Sequence, residues 1–123
     1  MNIRLENQRR ATVALTVAAN VCDVEFDDIK NLRIRFKSRP DVVRARTIAV
    51  ACIRATIPNF GCKQIAKLFG FSDHTSALFY MRRGERERVQ DWPDYQLAMG
   101  ALSPSLTDVA QVTQDYAFAG TSD

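Results

Sequence analysis

Histidine is nearly missing: the 123 residues hold one, His74. A single imidazole beside Asp73, with no separate nucleophile and no third orienting group, leaves a catalytic triad without its parts, so the chain is expected not to be an enzyme. Cysteine is sparse too. Cys22, Cys52 and Cys62 are odd in number, far apart and contain no C-x-x-C pair, so neither a disulfide framework nor a structural zinc site is expected, and the thiols read as free and buried. The five glycines, Gly61, Gly70, Gly84, Gly100 and Gly120, form neither a G-x-x-x-x-G-K-[ST] nor a G-x-G-x-x-G pattern. Nucleotide phosphates therefore have no cradle, and no cofactor is expected. Long apolar runs are lacking as well: residues 11–19 and 47–53 fall well short of the roughly 18 that a membrane span needs. The N-terminal residues 1–10 have no apolar core followed by a small-residue cleavage site, which points to the cytoplasm rather than secretion.

What is present is the composition of one ordinary globular domain, 46% hydrophobic and 25% charged, long enough to build a core without staples. The formal net charge is only +3, but its placement is lopsided. Between residues 29 and 54 stand Lys30, Arg33, Arg35, Lys37, Arg39, Arg44, Arg46 and Arg54 against a single acid, Asp41. A segment that basic concentrates polyanions through its summed field, and neutralising phosphates is its usual employment; its plainer use is a solvated helix face.

Along the chain, Ala11, Ala14, Leu15, Ala18 and Val21 recur at three and four, predicting a first helix from Gln8 to Cys22. A short turn or helix follows around Val24, Phe26 and Ile29. Ser38-Arg39-Pro40-Asp41 reads as a helix start, and Val43, Ala45, Ile48, Ala49, Cys52 and Ile53 predict the inward face of a helix that runs to Thr56 and carries Arg44 and Arg46 outward. Pro58 closes it. Ile65, Ala66, Leu68 and Phe69 then mark a short helix ended by Gly70, and Asp73 is the cap of another over Thr75 to Arg83, which Gly84 ends. Two short helices joined by a glycine-bearing turn describe a helix-turn-helix. A last helix begins near Asp91-Trp92-Pro93-Asp94, with Trp92 as an anchor and Tyr95, Leu97, Ala98 and Leu102 inward. The tail from Ser103 onward, with Asp108, Asp115 and Asp123 and no bases, reads as a frayed helix or disordered.

Asp73-His74-Thr75-Ser76 opens the second helix of the pair, where a recognition helix presents side chains to base edges. A carboxylate accepts from cytosine N4, a threonine methyl packs on the thymine methyl, and imidazole and hydroxyl groups donate or accept. The same run also serves as a plain capping sequence.

Phe69-Gly70-Phe71-Ser72-Asp73-His74-Thr75-Ser76 resembles the phenylalanine-glycine-glycine-arginine-aspartate-histidine-threonine-threonine motif of the C-terminal DNA-binding domain of the bacterial replication initiator DnaA. Val42-Val43-Arg44-Ala45-Arg46-Thr47-Ile48-Ala49 is similar to that family's valine-x-x-proline-arginine-glutamine-isoleucine-alanine helix start. The resemblance covers residues 11–102. It implies an all-α, compact multi-helix domain of the Trp-repressor-like type, with residues 1–10 as an N-terminal arm and 103–123 as an acidic tail. It also implies that Asp73, His74 and Thr75 read the major groove, with Ser76 matching the second threonine, while Arg46 holds phosphates. The family's basic loop, which sends an arginine into the minor groove, corresponds here to Phe36-Lys37-Ser38-Arg39. Ser72, Phe71 and Thr47 stand where the family has arginine, its second glycine and glutamine. Full-length members carry an ATPase module ahead of this domain, so a chain with only residues 1–10 before it is expected not to initiate replication by itself.

The expected function is sequence-specific binding of double-stranded DNA at initiator-type boxes, by a monomer needing no nucleotide, metal or membrane and located at the nucleoid. The expected contacts are the loop from Arg33 to Arg39, with Lys37, Ser38 and Arg39, and Arg44, Arg46 and Thr47 on the backbone side, Asp73 to Ser76 at the bases, and Arg82 and Arg83 on the flanking phosphates. Replication-initiation proteins are further candidate partners. The rival expectation is a protein-interaction module that keeps the fold and uses Trp92, Tyr95 and the acidic tail to bind a replication initiator or its regulator.

Overall fold

The computed structural model describes residues 3–35 and 38–106, among which there are six α-helices, one 3-10 turn and no strand. The helices are α1 (Ile3–Val21), α2 (Phe26–Ile29), α3 (Pro40–Thr56), α4 (Cys62–Phe69), α5 (Thr75–Arg86) and α6 (Pro93–Leu106). No helix among the described residues is long and apolar enough to cross a membrane. The chain is all-α.

The helix α3 is the spine. It opens with Pro40, whose fixed φ suits the first turn and whose missing N–H has no partner to lose there. Ten of its residues are buried, including Val42 and Val43, the run from Ala45 to Val50, and Cys52 and Ile53. A helix so apolar around its circumference is covered from several directions, and α1, α2, α5 and α6 all pack on it. On α1 the buried positions are Ala11, Ala14, Leu15, Ala18 and Ala19, mostly small side chains that let the α3 and α6 backbones come close. That helix starts at Ile3, five residues before the apolar stripe predicts, so most of the expected N-terminal arm is helical. From Arg4 to Arg10 it buries no side chain, Leu5 being 61% exposed, and Glu6 pairs there with Arg9 and Arg10 at 3.7 and 3.6 Å.

The turn into the second half of the fold is built by Gly70. Its φ of +84° is the left-handed conformation that a side chain resists, and the Phe71 N–H returns to the Ala66 carbonyl at 2.9 Å to close the end of α4. Phe71 then lies flat against Phe69, ring centroids 5.2 Å apart, and both stack on Tyr80 of α5 at 6.2 and 6.4 Å. The helix pair is thus glued by three parallel rings. Gly84 does not end α5. It is buried inside the helix, with space for a Cβ only 3.4 Å from Val89 Cγ1, and α5 runs on to Arg86. On α6, Ala98 and Leu102 are buried as expected, whereas Leu97 is 64% exposed. The expected tail begins inside α6, which runs to Leu106; residues 107–123 lie outside the described ones.

Candidate nucleic-acid interface

The N-cap of α5 is His74, with no side-chain cap bond of its own, rather than the expected Asp73; Asp73 stands one residue earlier and its carboxylate accepts from the Thr75 N–H at 2.9 Å. Asp73, His74 and Thr75 are exposed and Ser76 is half-buried. The Cys62 thiol, 3.4 Å from the His74 carbonyl oxygen, ties this turn to the start of α4. The first-turn N–H groups of α5 add the positive end of a helix dipole to the same place.

Arg46 does not face outward. It is 2% exposed, and its five N–H groups are all used: Nε donates to Ile29 O at 2.8 Å, Nη1 to Ile34 O at 2.9 Å and the Tyr80 hydroxyl at 3.0 Å, and Nη2 to Asn31 O at 2.8 Å and Asp28 O at 3.3 Å. An arginine has five such donors, so none is left for a phosphate. The sequence-based expectation of a phosphate contact is corrected: Arg46 sits on the buried spine and folds the segment 28–34 against α5. Thr47 is likewise fully buried, its hydroxyl donating to Val43 O at 2.8 Å, and cannot reach DNA.

Arg44 is also committed within the fold. Its Nε lies 2.9 Å from Asp94 Oδ2 and its guanidinium 4.2 Å from the Trp92 ring centroid, which fastens the start of α6 to α3. Trp92 is thus an anchor, half-buried beneath this cation, and Tyr95 is half-buried beside it. Arg39 is held at 3.0 and 3.1 Å by the two oxygens of Asp41 and at 3.4 Å by Asp28; the hydrogen bond from Arg39 keeps the Asp41 carboxyl below the usual carboxylate range. Ser38 turns inward on its own loop, accepting from the Arg35 N–H at 3.1 Å and donating to the Arg35 carbonyl at 2.9 Å. Lys37 lies outside the described residues. At the far end of α5, Arg83 reaches Glu87 at 3.5 Å, and Arg82 is exposed with no ion pair among the described residues.

The cations beside the α5 start are therefore those of the expected loop, Arg33 and Arg35, joined by others that were not expected. On one side, Arg35 joins Ser72 and Ser76 around a cleft of about 220 Å³ floored by Tyr80 and Phe71, and Lys30 and Arg33 are exposed on the same loop. On the other, Lys63 and Lys67 of α4 and Arg4 of α1 line a groove that includes Asp73 and His74. Lys30, Arg33, Arg35, Lys63, Lys67 and Arg4 form no ion pair among the described residues. Sequence reasoning passed over Lys63 and Lys67, although the signal was there. With Ile65, Ala66, Leu68 and Phe69 inward, positions 63 and 67 share the outer face at i and i+4.

No family model, curated protein or solved structure matches this chain.

Proposed function

We propose that this chain is a non-enzymatic binder of double-stranded DNA that reads initiator-type boxes and regulates replication initiation or transcription at the nucleoid. The observation that supports it is the setting of α5. Four polar residues at its start, Asp73 to Ser76, are flanked on both sides by cations that form no ion pair among the described residues, Arg35 on one and Lys63 and Lys67 on the other. In this reading the flanking cations fix position on phosphates, and His74, Thr75 and Ser76 meet base edges in the major groove. A single module of this kind covers roughly 600 to 1,000 Å². Arg46 contributes indirectly, by holding the segment that carries Arg33 and Arg35.

The test is a mobility shift on box and random duplex at two salt concentrations. Both duplexes bind at low salt, the box more tightly. Lys67→Ala and Arg35→Ala each weaken both duplexes alike and reduce the salt slope by about one. Absence of binding to either duplex at low salt overturns the proposal.

A further inference from the structure

The groove between the start of α1, α4 and the turn before α5 has a volume of about 670 Å³. Its floor is apolar, with Phe60, Ala66 and Phe71, and its rim carries Arg4, Lys63 and Lys67. Against these three cations stands one acid, Asp73, whose carboxylate is engaged by the Thr75 N–H. An occupant that suits it combines negative charge with apolar, preferably aromatic, side chains. Residues 107–123 have that composition: Asp108, Asp115 and Asp123, no lysine, arginine or histidine, and Val109, Val112, Tyr116 and Phe118 between them.

Placement favours the same match. Both α6, which ends at Leu106, and α4, which carries Lys63 and Lys67, pack on α1, so the end of α6 and the groove share that helix as a neighbour. Seventeen residues reach at most about 60 Å, well over the roughly 28 Å length of α1, and a tethered segment meets its groove at about millimolar effective concentration.

We propose that residues 107–123 dock in this groove in cis, Tyr116 and Phe118 on the Phe60 and Phe71 side and the aspartates toward Arg4, Lys63 and Lys67, covering His74. Docking itself needs no DNA; that it competes with DNA rests on the function proposed above. The test is zero-length carbodiimide cross-linking of the full chain without DNA, mapped by peptide mass spectrometry. Amide links from Asp108, Asp115 or Asp123 to Lys63 or Lys67, independent of protein concentration and lost in Tyr116→Ala/Phe118→Ala, are the expected result. Links spread evenly over Lys30, Lys63 and Lys67, links that appear only between two molecules, or no links overturn it. The same neutral variant then binds random duplex about tenfold more tightly if the groove is covered nine-tenths of the time. Specific cross-links with no DNA binding in either protein uphold the docking and count against the DNA reading alone.

Discussion

Arg46 carries a large energetic stake, because a cation with no carboxylate partner among the described residues is kept inside by four carbonyls and one hydroxyl. A lysine has three donors and no fork, so it leaves several of those acceptors dry. Arg46→Lys is expected to cost about 3–5 kcal/mol in denaturant unfolding, and Tyr80→Phe, which strands one N–H, roughly 1.5–3 kcal/mol. If Arg46→Lys unfolds at the wild-type midpoint, the cage contributes nothing. Thr75 is the opposite case: it is exposed, and its removal leaves the core untouched. On the proposed function, Thr75→Ala lowers the ratio of box to random affinity by roughly 5- to 150-fold with unchanged melting. A wild-type ratio there reduces Asp73 to Ser76 to a cap.

Two glycines separate turn chemistry from helix propensity. Gly70 sits at φ +84° with nothing within 4 Å of a built Cβ, so Gly70→Ala meets no clash and loses only its left-handed comfort, about 1–2 kcal/mol. Gly84 lies mid-helix with an ordinary 3.4 Å contact to Val89, so Gly84→Ala is expected to stabilise by up to about 1 kcal/mol. Thermal melting of the pair should move in opposite directions. The same contrast explains what was readable in the chain. The α4–turn–α5 unit was legible because Gly70 and Asp73 act locally, through φ and one hydrogen bond. Gly84 was misread as a stop since only the neighbouring Val89 and Thr47 give it another reason to be glycine. The beginning of α1 was illegible because its first turns bury no stripe. Arg46 was placed outside by its charge, yet every residue from Ala45 to Val50 is buried, so at its position the helix has no solvent face to point to. The partners that satisfy it, twelve to eighteen residues upstream and at Tyr80, are distant in sequence and leave no periodic mark.

At the scale of the whole molecule, thiols and a phenol set how it behaves in alkali: of the three cysteines expected to be buried only Cys52 is, Cys22 and Cys62 being half-buried, and Tyr80 is buried. Burial pushes Cys52 up to about 12 and, with Asp94, Cys22 up to about 11, from an ordinary 9.0; burial also raises Tyr80. The folded state therefore holds these protons more tightly than the unfolded chain does, so their contribution is complete below about pH 9 and drains away as pH rises toward 12. Denaturation midpoints at pH 8 and 10.5 should fall accordingly, and Cys52→Ala should show the shallower decline. Salt acts elsewhere. Paired exposed charges such as Arg39 with Asp41 are screened by added ions, but the segment behind Arg33 and Arg35 is pinned by a guanidinium among neutral dipoles, which ions at a distance barely weaken. On the proposed function, raising ionic strength thus strips phosphates from the cations without loosening the scaffold that presents them. On that function, a salt titration of DNA binding by Tyr116→Ala/Phe118→Ala, in which the docked tail no longer competes, measures counterion release uncontaminated by a softening interface.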